Sequence, residues 1–221
     1  MRLLLISSSN VHGYGYLDHS EAAMREFLGN ARRVAFVPFA AHDHDVYTAK
    51  VRERLARMDL EVVSTDHLDR ADAIFVGGGN TFRLLKTLYD RYLLRPIRNH
   101  VRDGLPYIGA SAGTVIAAPT MRTTNDMPIV EPLRFDALDL VRFQINPHYL
   151  DPDPQSTHKG ETREERIREF LDENETPVVG LREGSILRVE NGTTTLLGEK
   201  TARIFRRGAE AVEASPGRID V

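Results

Sequence analysis

The chain contains no cysteine. A disulfide framework and a thiolate nucleophile are therefore both excluded, and any covalent catalysis must use another side chain. An excess of charge of one sign is also missing. With 29 basic and 32 acidic residues the net charge is -3, so no global positive field draws in nucleic acid or an anionic membrane. A small, uncharged or locally matched partner fits better. Long hydrophobic runs are absent too. The opening MRLLLISSSN has four consecutive apolar residues, too few for a signal-peptide core, and no run approaches a membrane span. A soluble cytoplasmic protein is the expectation. No repeat, low-complexity tract or Pro/Gly linker divides the 221 residues, so a single domain spanning residues 1–221 is expected.

Buried strands read as short apolar runs. Such runs occur at Arg2 to Ser7, Arg33 to Phe39, Glu61 to Ser64, Ala73 to Val76 and Pro106 to Ile108. Segments of helical period lie between them, at His19 to Leu28, Asp45 to Met58 and Thr81 to Val101. In the last of these, Leu84, Leu85, Leu88, Tyr92 and Ile97 fall near one face. This alternation predicts an α/β fold with a mostly parallel sheet flanked by helices in three layers. An irregular stretch, Pro119 to Pro132, precedes a strand-like VRFQIN and a charged helix from Glu161 to Asn174. From Pro177 onward, short β-like runs are punctuated by REGS, NG and RRG, which predicts β-hairpins near the C-terminus.

Residues 109–113 read GASAG, the GxSxG pattern of a nucleophile elbow between a strand and a helix. Side chains at Gly109 and Gly113 would collide with the adjoining elements, and Ser111 would stand at a helix N-terminus, where free N–H groups favour developing negative charge. A serine hydroxyl is a poor nucleophile at neutral pH, so it needs a base within reach, and the base needs an orienting acid. Of the eight histidines, most fall in surface or loop contexts. His148 differs, following an apolar run and a proline in QINPHY; the plainer alternative is a loop histidine satisfied by a carbonyl. For the acid, Asp126 in TTNDMPI gives the chain order Ser, Asp, His of α/β-hydrolases. Glu183 in GLREGS follows another buried strand and can rise beside His148 from the sheet edge. Either is otherwise a solvated surface carboxylate.

FVGGGNTFRLL, residues 75–85, places three glycines after a strand and then Asn80 and Thr81 at a helix start. Such a bare backbone approaches a ligand closely and aims N–H groups at it. Gly78 or Gly79 can thus supply half of an oxyanion hole, with the Ala112 N–H as the other half. The glycines lack both GxGxxG spacing and a GK[ST] ending, which weighs against a nucleotide loop; a merely structural turn is the plainer alternative. HDHD, residues 42–45, aligns two histidines but has no third spaced ligand, and Asp43 or Asp45 suits a helix N-cap. No metal and no cofactor is expected. In the charged helix, Arg163 occupies the first turn, where the helix dipole disfavours a cation, so it is flagged as an anion-binding residue.

Taken in order, GGGNT, GASAG, NPHY, GETREERI and REGS resemble the peptidase E family of serine peptidases, the aspartyl dipeptidases, and more distantly the cyanophycinases. The resemblance spans most of the chain. It implies a flavodoxin-like sheet related to class I glutamine amidotransferases, with serine replacing their cysteine, and hydrolysis of dipeptides bearing an N-terminal aspartate. It implies Ser111 as nucleophile, His148 as general base, and Gly79 with Ala112 as oxyanion hole, and leaves Asp126 and Glu183 both open as the acid. Arg163, with Asn80 and Thr81, is the expected substrate-binding set. The expected partner is a small Asp-X peptide, with no nucleic acid and no membrane, bound by a monomer or homodimer. Aspartyl-arginine cleavage of the cyanophycin type, or small-molecule binding without turnover on the same scaffold, are the alternatives.

Overall fold

The computed structural model describes residues 1–153, 155, 157 and 159–221. His158, one of the eight histidines, therefore falls outside the described residues. The first half runs β1 (Arg2–Ile6), α1 (Glu21–Leu28), β2 (Arg33–Val37), α2 (His44–Ala56), β3 (Glu61–Val63) and β4 (Ala73–Val76). It continues with α3 (Thr81–Asp90), α4 (Leu94–Arg102), β5 (Tyr107–Ala110) and the short α5 (Ala112–Val115). The second half holds β6 (Gln144–Pro147), α6 (Arg163–Glu173), β7 (Val178–Leu181), β8 (Ile186–Glu190), β9 (Thr193–Leu197), β10 (Ala202–Phe205), β11 (Val212–Ala214) and β12 (Gly217–Ile219).

The main sheet has the order β12-β9-β8-β1-β5-β4-β2-β3. Its centre is parallel from β1 through β3, and β8, β9 and β12 extend it antiparallel. Strands β2 to β5 follow the 2-1-3-4 order of flavodoxin-like sheets, and β1 takes the fifth place. Both faces are covered, which is why these strands read as unbroken apolar runs. Residues alternate between the faces: Leu4 and Ile6 pack toward Met24, Phe27, Val51 and Leu55 of α1 and α2. Leu3 and Leu5 join the cluster of Leu84, Leu85, Leu88 and Ile97 on α3 and α4. The expected hairpins are present. At the tip of β8–β9, Asn191 and Gly192 have φ of 51° and 77°, the positive pair a tight two-residue turn requires.

Two features depart from the sequence reading. The helix expected from Thr81 to Val101 is two helices, broken at Tyr92, which has φ 56° and is exposed rather than on the apolar face. Pro96 explains the break: it has no N–H to donate back to residue 92, but it is tolerated in the first turn of a new helix. Strands β6 and β7 do not join the main sheet. They pair in parallel within a second sheet of order β11-β10-β7-β6, where Tyr149, Val178 and Phe205 pack under Ile167 and Leu171 of α6.

Candidate active site

Ser111 stands between β5 and α5 with φ 51° and ψ -109°, a region that L side chains rarely occupy. The turn is over-determined by its bonds. Ser111 N–H donates to Ile6 O at 3.0 Å, and Ser111 O accepts from the amides of Thr114 and Val115. The Thr114 hydroxyl bridges Ile6 O and Gly109 O at 2.7 and 2.9 Å. A Cβ on Gly109 would lie 2.5 Å from Gly113 O, and one on Gly113 only 2.1 Å from Val76 O. Because the obstacle at Gly113 is backbone, it cannot rotate away. Gly113→Ala is accordingly expected to destabilise the fold by at least ~3 kcal/mol in urea unfolding.

His148 follows β6 and also has positive φ, 54°. Its N–H donates to the buried Ser7 hydroxyl at 3.0 Å, and that hydroxyl donates to Leu181 O at 2.7 Å. One serine thereby ties the ends of β1, β6 and β7 together. With its backbone so held, His148 reaches Ser111 Oγ through Nε2 at 2.8 Å and Glu183 Oε1 through Nδ1 at 2.7 Å. A carboxylate only accepts, so Glu183 fixes the proton on Nδ1 and leaves Nε2 to accept from the serine.

Asp126 does not touch His148. Its Oδ2 accepts from the backbone N–H and the hydroxyl of Thr81 at 2.7 and 2.6 Å, capping the start of α3, while Oδ1 has no partner among the described residues. The loop that carries it is pinned to β6: Thr123 bonds Ile145 O, Asn146 bonds Thr123 O, and Asn125 bonds Pro147 O. Asn80 is likewise engaged. It accepts from Arg83 N–H at 3.0 Å as the N-cap of α3 and donates to Met127 O at 2.9 Å. The polar groups of both Asn80 and Thr81 are therefore turned to the protein. Arg163 opens α6 behind Thr162, whose hydroxyl and Glu165 form a reciprocal cap. Among the described residues Arg163 has no ion-pair partner. Partial burial, and then Arg166, hold its guanidinium below the ordinary arginine range, while the charge of Asp126 acts in the opposite direction.

Gly79 has φ 136°, and a Cβ there would meet Ala40 O at 2.5 Å. Glycine is obligatory for this close approach. Gly78 N–H donates to Tyr47 Oη at 3.0 Å, whereas the amides of Gly79 and Ala112 meet no acceptor among the described residues. Of the two glycines weighed for an oxyanion hole, Gly79 thus has the free donor. Ser111, His148, Gly78 and Gly79 line a pocket of about 300 Å³, together with Ser8, Ser9, Asn10, Tyr16, Ala41, Tyr47 and Lys50. It lies past the carboxyl ends of β2 and β4, where the helices following adjacent strands leave on opposite faces, the usual position of a site in such sheets. Ser7, Tyr16, Tyr47 and Lys50 were not anticipated. The one local signal was the polar run SSSN directly after a buried strand. In HDHD, Asp43 caps α2 by accepting from Val46 N–H at 2.9 Å, and no group of three or more metal-binding side chains gathers among the described residues. No helix among them is long and apolar enough to cross a membrane.

An elbow serine, a histidine and a carboxylate in one hydrogen-bonded line on an α/β sheet make up the constellation of serine hydrolases. The chain belongs to peptidase family S51, whose family model matches residues 3–197. It is 58% identical over 224 residues to a protein named "Peptidase E" from Streptomyces coelicolor, covering 98% of this chain and 92% of that one. It is 48% identical to "Probable alpha-aspartyl dipeptidase" of Drosophila melanogaster, covering 97% and 93%. The crystal structure of a peptidase from an acI-B1 Actinobacterium shares the fold, with a TM-score of 0.71 at 16% identity, covering 100% of this chain and 96% of that one.

Proposed function

We propose that residues 1–221 act as one catalytic unit, a serine dipeptidase that hydrolyses dipeptides with an N-terminal aspartate. The line Ser111–His148–Glu183 carries the reading. Ser111 Oγ attacks the carbonyl carbon of the aspartyl residue while His148 Nε2 takes its proton. The oxyanion so formed is received by the free amides of Gly79 and Ala112. Collapse breaks the C–N bond, His148 returns the proton to the leaving amine, and the second residue departs as a free amino acid. Water then attacks the acyl-serine with His148 again as base, which releases aspartate and restores the hydroxyl. Glu183 remains a carboxylate throughout and stabilises the imidazolium.

Recognition of aspartate requires compensation for a desolvated carboxylate and for a free ammonium group. Arg163 offers a guanidinium with no ion-pair partner among the described residues, and Asp126, whose charge acts on it, offers an Oδ1 with no partner among them. In this reading the side-chain carboxylate meets Arg163 and the amine meets Asp126, while Asn80 and Thr81 act indirectly by holding the start of α3 and Asp126 in place. The reading is supported by the names of the relatives as well as by this charge arrangement.

The test is release of amino acid from Asp-Leu, Glu-Leu and Ala-Leu. Preference for Asp-Leu is expected, and Arg163→Ala should lower kcat/KM for Asp-Leu by about 30-fold and erase the preference over Ala-Leu. Absence of Asp-Leu turnover in the wild type would overturn the reading. An undiminished aspartate preference in Arg163→Ala would remove that residue from it.

A further inference from the structure

Helix α2 contributes a cation to the pocket, and neither the triad nor aspartate recognition uses it. Lys50 lines the same cavity as Ser111 and His148. Its ammonium lies 4.1 Å from the centre of the Tyr16 ring and has no ion-pair partner among the described residues. The surroundings are built to hold it there. Arg54, one turn along the helix and 5% exposed, bonds Tyr16 O at 2.8 Å and Leu17 O at 3.3 Å, and pairs with Asp18 and Glu21. This fixes the segment that carries Tyr16. Tyr16 Oη is 3.2 Å from Tyr47 Oη, which accepts from Gly78 N–H. Burial raises the pKa of both phenols, so neither supplies a negative charge to neutralise Lys50.

Lys50 and Arg163, neither with an ion-pair partner among the described residues, stand toward opposite faces of the main sheet. Lys50 rises with α2, which packs on the face of Leu4 and Ile6. Asp126 is bound to the start of α3, on the face of Leu3 and Leu5, and Arg163 feels its charge. Ser111 stands at the carboxyl edge between them. An Asp-X dipeptide carries two carboxylates, one on the aspartyl side chain and one at its C-terminus. The terminal carboxylate lies roughly 4 Å beyond the scissile carbonyl, one residue along the chain. If the aspartyl residue occupies the Asp126 and Arg163 side, the leaving residue extends toward α2.

We propose that Lys50 is a substrate-binding residue that holds the C-terminal carboxylate of the second residue, and so restricts the enzyme to free dipeptides. This rests on the dipeptidase reading above. A longer peptide or an amide places a neutral carbonyl where Lys50 expects an anion, and it loses a charge-assisted bond.

The experiment compares Asp-Leu with Asp-Leu amide in the wild type, Lys50→Met and Lys50→Arg. The wild type is expected to favour Asp-Leu in kcat/KM by about tenfold, with the difference in KM. Lys50→Met should bring the ratio to about one, and Lys50→Arg should restore most of it. A wild-type ratio near one, or an unchanged ratio in Lys50→Met, overturns the inference and leaves the dipeptidase reading standing. Loss of aspartate preference over alanine in Lys50→Met overturns it as well, because Lys50 would then read the first residue. Turnover of neither substrate by the wild type removes the dipeptidase reading and this inference with it.

Discussion

Alanine at position 111 is expected to lower kcat for Asp-Leu by about a million-fold, the scale on which loss of a serine nucleophile acts when base and acid depend on it. Binding should survive, because the free amides of Gly79 and Ala112 and the charges of Asp126, Arg163 and Lys50 are untouched. Glycine at the same position separates catalysis from folding. With φ 51° and ψ -109°, Ser111 stores backbone strain of order 1–3 kcal/mol, which glycine relieves at some cost in unfolded-state entropy. Ser111→Gly should thus be as inactive as Ser111→Ala yet more stable by about 1 kcal/mol in urea unfolding. Equal activity of either variant and the wild type would remove Ser111 from the mechanism. A less stable glycine variant would show that the elbow is not strained.

Glu183→Gln is expected to lower kcat by about ten-thousand-fold with little change in KM. The amide is isosteric but lets the imidazole adopt the wrong tautomer and leaves a developing imidazolium without a counter-charge. Asp126→Ala should behave in the opposite way. It removes the acceptor for the Thr81 amide and hydroxyl at 2.7 and 2.6 Å, so a loss of about 1–2 kcal/mol in stability and a raised KM are expected. Steady-state kinetics on the two variants decide between the carboxylates. A collapse of kcat at unchanged KM in Asp126→Ala, with Glu183→Gln active, would exchange their roles.

The strands of the parallel sheet, the elbow and the hairpin at Asn191–Gly192 were all legible in the sequence, because each is set by short-range chemistry. Apolar runs mark strands covered on both faces, paired glycines mark a turn with no room for Cβ, and Asn-Gly marks two successive positive φ angles. His148 could be singled out from its place after a strand and a proline. The break at Tyr92 was also encoded, in the missing N–H of Pro96, but the continuous apolar period across Thr81 to Val101 masked it.

Long-range partners were not legible. Glu183 and Asp126 are equally plausible acids in one dimension; which of them meets His148 follows from the pairing of β6 with β7, which sets Pro147 beside Leu181. That register, locked by Ser7 between His148 N–H and Leu181 O, brings the loop after β7 under the histidine ring. The Asp126 carboxylate is bound instead to the start of α3. Lys50 carried no motif at all, and it enters the pocket only because α2 packs against the sheet with that side chain at its carboxyl edge. Local propensity and sterics thus determined the elements and the turn at Ser111. Strand register and helix packing, which depend on contacts between segments far apart in sequence, decided which charges surround it.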